Sequence, residues 1–251
     1  MQEVYCFNEN KEFSMNLPNP NENVFDTIKW GKFEEFFTPA FWRAQTWFFE
    51  LRNDAALTYQ LGETFEEEVV ACLLGGHGIP SEMGIAKFNQ FKDSQIFSSE
   101  SISLEIIENI MHAPVYLDGK NKKYRFAKQK SKYIYDALTK ISCVNEKEKS
   151  DLELRNFLLS VNGIGLKTAS WIVRNYRNSN DVAILDIHLY RAGLLAGFFT
   201  ENDKIEKNYF AMEKKFLHFC KHLDIQTSKL DAVIWRVMKE LNTFALSKLK
   251  Q

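Results

Sequence analysis

A lysine that follows a glycine-rich turn is the most reactive feature of the sequence. The stretch VNGIGLKTAS, residues 161–170, contains Gly163, Gly165 and Lys167. Glycine permits positive φ angles and close backbone approach, so a turn of this kind can present its amides to an anion. A lysine amine can also act as a nucleophile once it has lost its proton. The stretch is therefore compatible with a phosphate-binding turn, a reactive amine or an ordinary turn between helices.

Two other glycine motifs are excluded by the residues next to this lysine. A Walker A loop requires glycine directly before its lysine, and Leu166 stands there. A dinucleotide fingerprint requires a third glycine at the position of Thr168, and a strand before the turn. The flanking segments have the apolar spacing of two helices instead. The pattern indicates a helix-hairpin-helix, in which Gly163, Gly165 and Thr168 are the expected phosphate contacts.

An aspartate lies at a fixed distance from this lysine. Asp186, in the segment ILDIHLYR, comes 186 − 167 = 19 residues after Lys167, where a new helix is predicted to begin. With both motifs present, residues 64–246 resemble the helix-hairpin-helix DNA glycosylases, and specifically the bifunctional 8-oxoguanine DNA glycosylase/AP lyases. This resemblance implies that Lys167 is the nucleophile and that Asp186 stabilises positive charge at the sugar carbon C1′. The alternative for Asp186 is a helix N-cap, and the two roles can coexist.

The resemblance implies further site residues. Asp231 and Trp235, four residues apart on one helix face, would accept the base edge and stack on the flipped base. His188 would contact a phosphate, and His77, in the loop GGHGIP, would probe the duplex. The alternatives are a capping box between Ser228 and Asp231, a core position for Trp235, a surface or core position for His188, and an incidental histidine after a helix C-cap for His77.

The resemblance also bears on cofactors and partners. It implies a monovalent cation, Na⁺ or K⁺, on the main-chain carbonyls of Leu159, Val161 and Ile164, with no redox cofactor or zinc. The four cysteines lack CxxC spacing, so neither a zinc knuckle nor an iron–sulfur loop is expected. The partner would be double-stranded DNA with a damaged base, bound by a monomer, with no membrane. The run at 120–132, which includes Lys128, carries six lysines and one arginine and reads as a phosphate-binding surface or a solvated helix face.

Composition and periodicity set the fold class. The chain has 251 residues, 45% of them apolar, with 5 prolines and 11 glycines, which argues against a turn-rich β protein. From about residue 26 onward nearly every segment has helical periodicity, so we predict an all-α, two-lobed fold with a short N-terminal β element. Residues 1–63 would form an arm and helices that pack on a core formed by residues 64–251. No signal peptide or long apolar run is evident, so we expect an intracellular protein.

The first 60 residues depart from the longer members of this family. Those members read 8-oxoguanine through an N-terminal β domain, and this segment is too short to form one and has no matching GQ-FRW motif. Two alternatives therefore stay open beside an 8-oxoguanine glycosylase. One is a glycosylase for another modified base, and the other is a non-catalytic DNA-binding module that retains the hairpin.

Overall fold

The computed structural model describes residues 1–52, 60–76, 78–99 and 101–250. In chain order, the strands are β1 Gln2–Asn8, β2 Lys11–Leu17, β3 Asn23–Phe25, β4 Ile28–Lys29, β5 Val115–Leu117 and β6 Lys120–Lys122. The helices are α1 Pro39–Leu51, α2 Phe65–Leu74, α3 Ser81–Asp93, α4 Leu104–His112, α5 Ala127–Ile141, α6 Asp151–Leu158, α7 Leu166–Arg177, α8 Ile187–Ala196, α9 Ile205–His222, α10 Thr227–Glu240 and α11 Asn242–Lys248. The fold is mainly α, as predicted, with a β element at the N-terminus.

The chain forms two compact units. One consists of Gln60–Arg177, and the other combines Met1–Tyr59 with Asn178–Gln251. The second unit combines two separate stretches of the sequence. The predicted division into residues 1–63 and 64–251 stays a prediction. Within the described ranges, no helix has both the length and the apolar character that a membrane span requires.

The discontinuous unit packs short strands and helices around aromatic side chains. β1 and β2 form an antiparallel hairpin in which Val4 pairs with Met15. The helix α1 begins at Pro39, because the Thr38 side chain accepts the Phe41 N–H at 3.1 Å and caps the first turn. Several aromatic side chains are fully or almost fully buried in this unit, namely Phe37, Trp42, Phe216 and Phe219.

The continuous unit contains helices α2 to α7 and the β5–β6 hairpin. Lys87 is fully buried on α3, and its ammonium donates to the carbonyls of Ile110 and Ala113, at 3.0 and 2.7 Å, beside the end of α4. A third bond of 2.7 Å goes to the side chain of Gln90. Burial lowers the pKa of Lys87 to about 8. One buried cation therefore ties α3 to the carbonyl end of α4, where the helix dipole favours positive charge.

A capping box at the start of α2 would pair Thr64 with Glu67, and it is only half formed. The Thr64 side chain accepts the Glu67 N–H at 3.2 Å. The Glu67 carboxylate, however, accepts the Glu63 N–H at 2.7 Å, outside the helix. The reciprocal contact fails because a neighbouring backbone amide competes for the same carboxylate.

Candidate functional site

The glycine turn between α6 and α7 has the conformation that its sequence predicts. The Val161 N–H donates to the Leu158 carbonyl at 3.0 Å, and the Ile164 N–H donates to the Val161 carbonyl at 3.2 Å. Gly163 has a φ of +83°, in the left-handed region. Val161 and Ile164 are buried, so their side chains pack inward while the glycines stay at the surface. The turn therefore presents bare backbone to solvent.

Helix α5 holds this turn in place. The Asp136 carboxylate accepts the Asn162 N–H at 3.1 Å, and the Lys140 ammonium donates to the Ser160 carbonyl at 2.9 Å. Tyr133 packs so closely that a Cβ on Gly163 would lie 2.3 Å from the Tyr133 ring. The position thus requires glycine twice, for its φ angle and for its lack of a side chain.

Gly165 differs from Gly163 in both respects. It lacks a positive φ. Apart from its chain neighbours, no described atom lies within 4 Å of the place where its Cβ would be. The fold alone does not demand glycine here, so the open space on this side of the turn is available to a ligand.

Lys167 and Thr168 lie in the first turn of α7. The Ala169 N–H makes the first bond into the helix, to the Gly165 carbonyl at 2.9 Å. The amides of a helix's first turn have no intrahelical acceptor and attract anions. The Lys167 side chain is exposed and Thr168 is half-buried. An anion bound at this helix end would therefore lie beside a solvent-accessible amine.

The main-chain carbonyls at the predicted cation position lie at the end of α6 and in the turn. Leu159 caps the carbonyl end of α6, where the helix dipole favours a cation. The Val161 carbonyl accepts one hydrogen bond, from Ile164, and a carbonyl oxygen has a second lone pair. Within the described residues, no cluster of three or more His, Cys, Asp or Glu side chains could hold a metal. Main-chain oxygens are hard ligands, and a monovalent ion on the carbonyls of Leu159, Val161 and Ile164 stays a prediction.

Asp186 is the N-cap of α8, which confirms that structural role. Its Oδ1 atom accepts the His188 N–H at 2.8 Å and the Leu189 N–H at 3.0 Å. Both bonds come from the first turn of the helix, so they fix the orientation of the carboxylate. The side chain is half-buried. A half-buried, oriented carboxylate at a helix start suits the stabilisation of a positive charge.

His188 lies near Trp235 in the same unit. Their ring centroids are 6.5 Å apart, with an edge-on angle of 74°. The Lys239 ammonium lies 4.9 Å from the centre of the Trp235 ring, which is half-buried. Trp235 is thus a partly accessible indole rather than a fully buried core side chain.

Asp231 has a partner that the sequence did not indicate. The residue is 4% exposed, and its Oδ2 atom accepts the Ile184 N–H at 3.2 Å. The alternative of a capping box with Ser228 is wrong, because Gln226 is the N-cap of α10 and Ser228 lies inside the first turn, where the Asn180 side chain accepts its N–H at 3.1 Å. Burial, and then the Asp231 charge, raise the pKa of Cys220 on α9. Asp231 therefore faces the packed interior of its unit, and its contact with a base edge stays a prediction.

The basic run at 120–132 is not one solvated helix face. Its start forms β6 and its end lies on α5, where Lys128 is exposed. Lys130 instead donates to the Leu73 and Gly75 carbonyls, at 2.6 and 3.3 Å, at the end of α2. Burial lowers the pKa of Lys130. His77 lies outside the described residues.

A buried carboxylate that the sequence analysis missed connects α2 with α7. Glu68 is fully buried, and its Oε2 atom accepts the N–H groups of Leu61 and Gly62 at 2.9 and 2.8 Å. Its Oε1 atom accepts the side-chain amide of Asn175 at 2.8 Å. Glu68 thus anchors the helix that carries Lys167. In the sequence it stands within an acidic stretch, and no local signal separates it from its exposed neighbours.

Comparison with known proteins places this arrangement in a family. Residues 58–225 match Ogg-HhH, described as 8-oxoguanine DNA glycosylase. An 8-oxoguanine DNA glycosylase/AP lyase from Metallosphaera sedula is 33% identical over 124 residues, which cover 46% of this chain and 59% of that protein. One from Saccharolobus islandicus is 35% identical over 134 residues, 49% of this chain and 63% of that protein. The chain therefore spans about three fifths of the length of these curated relatives.

Solved structures support the same fold. The crystal structure of Methanocaldococcus jannaschii 8-oxoguanine DNA glycosylase aligns with a TM-score of 0.54 at 23% identity, over 69% of this chain and 77% of that one. The Thermotoga maritima 8-oxoguanine DNA glycosylase aligns with a TM-score of 0.55 at 21% identity, over 70% and 79%.

Proposed function

The chain belongs to the Ogg-HhH family of 8-oxoguanine DNA glycosylases, and from this membership we propose that it excises 8-oxoguanine from DNA and then nicks the strand. One observation carries the proposal. Lys167 lies exposed in the first turn of α7, directly after a glycine turn with an open side at Gly165. This arrangement suits an amine that reacts with a sugar while the adjoining amides hold a phosphate. A DNA substrate implies an intracellular location.

The first step is excision of the base. The Lys167 amine attacks C1′ of the damaged nucleotide with its lone pair, and the glycosidic C1′–N9 bond breaks. The base leaves with the bonding electron pair and takes up a proton. Positive charge builds on the sugar during this step, and the Asp186 carboxylate stabilises it. The amides that grip Asp186 keep its carboxylate oriented throughout.

The second step is strand cleavage. The lysine–sugar adduct opens its ring to a Schiff base between Nζ and C1′. Removal of a proton from C2′ then expels the 3′ phosphate by β-elimination, and water hydrolyses the Schiff base to return the lysine. Gly163, Gly165 and Thr168 would hold the DNA backbone so that the amine is aimed at the sugar carbon. His188 and Lys128 would bind further phosphates, and Trp235 would stack on the flipped base.

The proposal is tested with a panel of duplexes that carry 8-oxoguanine, other modified bases or an abasic site. Base release is scored directly, and borohydride is added to trap the Schiff base. We expect release of 8-oxoguanine and a trapped adduct with wild type, and neither with Lys167→Gln. Lys214→Gln, at an exposed lysine on α9, is the matched control and should behave as wild type. Release of a different base alone would assign another lesion, and no adduct on any duplex would refute the lyase activity.

We also propose that Na⁺ or K⁺ binds the carbonyls of Leu159, Val161 and Ile164 and stiffens the turn for phosphate binding. The helix-end position of Leu159 supports this assignment. DNA affinity is compared in K⁺ and in tetramethylammonium at equal ionic strength, because the larger ion cannot fit between backbone carbonyls. We expect weaker binding in tetramethylammonium. Equal affinity in both salts would exclude a cation that supports the hairpin.

A further inference from the structure

The segment that leads into Asp186 is buried without being helix or strand. Residues 182–185 have irregular backbone, yet Val182, Ala183 and Leu185 are at most 1% exposed. Buried backbone polar groups must find partners, because each one left without a partner costs roughly 1–3 kcal/mol. Residues 182–185 belong to no helix or strand that would pair their N–H and C=O groups, so other parts of the fold must provide the hydrogen-bond partners.

Side chains from two helices bind this backbone directly. The Glu213 Oε1 atom accepts the Ala183 N–H at 3.0 Å, and the Asp231 Oδ2 atom accepts the Ile184 N–H at 3.2 Å. The Tyr209 hydroxyl donates to the Ala183 carbonyl at 2.8 Å and accepts the Leu185 N–H at 3.4 Å. Three consecutive residues before Asp186 are thus held by side-chain hydrogen bonds.

The three side chains form one cradle. Tyr209 and Glu213 are four residues apart on α9 and therefore share a helix face, while Asp231 comes from α10. Each of the three is 4% exposed. Burying two carboxylates is costly unless each is hydrogen-bonded, and here each accepts a backbone amide. These three buried polar side chains fix one short stretch of main chain, so the backbone position of residues 183–185 is tightly constrained.

We propose that Glu213 and Tyr209 are positioning residues for Asp186. They fix residues 183–185, the three that precede Asp186, while the amides of α8 fix its carboxylate from the other side. Neither residue touches DNA in this account; they act through the position of the Asp186 carboxylate. The inference rests on the proposed function, because it requires Asp186 to stabilise charge at C1′.

The chain offers variants that separate positioning from folding. Tyr209→Phe removes the hydroxyl, which is both donor and acceptor, at almost constant volume. Glu213→Leu removes the acceptor for Ala183, whereas Glu213→Gln retains an acceptor oxygen. Asp203→Asn is the matched control, because Asp203 is also buried and its carboxylate bonds Thr200 and Lys215, at 2.8 and 2.7 Å, rather than the amides of Ala183, Ile184 and Leu185. Loss of the Asp203 charge should lower the free energy of unfolding without moving Asp186.

The experiment measures the single-turnover rate of base release from an 8-oxoguanine duplex and, separately, the affinity for a duplex with an uncleavable abasic analogue. A displacement of about 1 Å at a catalytic group can cost about 100-fold in rate. We expect Tyr209→Phe and Glu213→Leu to release base about 10- to 100-fold more slowly with unchanged affinity. Glu213→Gln should recover most of the rate, and Asp203→Asn should match wild type at temperatures where it is folded.

The outcomes distinguish the inference from the function on which it rests. If wild type releases no base from any duplex, the proposed function fails, and the positioning role fails with it. If wild type is active and Tyr209→Phe and Glu213→Leu keep its rate, the positioning role alone is wrong. The role is also wrong if rate and affinity fall together, or if Asp203→Asn slows base release as much as they do, because either result indicates a general loss of structure.

Discussion

Among alanine substitutions in the turn, the one at Gly163 should lower stability, whereas the one at Gly165 should lower DNA affinity and leave stability almost unchanged. In Gly163→Ala, the new Cβ would lie 2.3 Å from the Tyr133 ring, at a residue whose φ is +83°. The left-handed conformation costs an L-residue about 1–2 kcal/mol, and overpacking adds about 1–3 kcal/mol. We therefore expect Gly163→Ala to lose about 2–5 kcal/mol of unfolding free energy.

Gly165→Ala should leave folding almost unchanged. Its Cβ would enter space where no described atom beyond its chain neighbours lies within 4 Å. Where the native backbone suits alanine, the substitution stabilises a protein by about 0.4–1 kcal/mol, through the unfolded state. If a DNA phosphate occupies that space, however, the methyl group displaces it. Loss of one hydrogen bond to a charged group costs about 1.5–3 kcal/mol, so affinity should fall roughly 10- to 150-fold.

Urea denaturation measures the first quantity, and fluorescence anisotropy with an abasic-analogue duplex measures the second. The two variants control for each other, because each changes one glycine of the same turn by one methyl group. If Gly165→Ala binds the duplex as tightly as wild type, no phosphate occupies the space beside Gly165. If Gly163→Ala is as stable as wild type, the Tyr133 ring does not restrict that position and the steric explanation is wrong.

Three further predictions concern side chains away from the turn. The pKa of Lys87 is about 8 in the folded protein against an ordinary value of 10.5, so between these pH values the unfolded chain binds more protons and the free energy of unfolding rises with pH. In urea titrations, wild type should gain about 2 kcal/mol of unfolding free energy relative to Lys87→Met between pH 8 and 10. A difference between the two proteins that does not change with pH would contradict this. Lys128→Ala should reduce the slope of log affinity against log salt by about 1, since one phosphate contact is lost, and an unchanged slope would remove Lys128 from the DNA interface. Trp235→Ala should bind an abasic duplex normally but lose about 1–3 kcal/mol of affinity for an 8-oxoguanine duplex, and an equal loss on both duplexes would argue against stacking on the lesion.

The sequence predicted those elements whose signals are local. The helical class and the Gly163 turn follow from periodicity and glycine spacing, because both act within a few residues. The N-cap role of Asp186 likewise depends on its own next three residues. These features were foreseen because their partners are near in sequence.

The missed features depend on partners that are distant in sequence. The acceptor for the Ser228 N–H in the first turn of α10 is Asn180, 48 residues before Ser228, so the local Ser228–Asp231 pattern was misleading. The buried carboxylate of Glu68 has no sequence signature either, since only tertiary packing separates it from exposed glutamates.

Lys167 should form the covalent bond to DNA, and mapping of the trapped adduct tests this assignment. Wild-type protein is trapped on an 8-oxoguanine duplex with borohydride, digested, and the modified peptide is identified by mass spectrometry. The reduced sugar adduct should lie on Nζ of Lys167, and Lys167→Gln should give no adduct at this or any other lysine. An adduct on a different lysine, or base release by wild type with no adduct at all, would contradict the account.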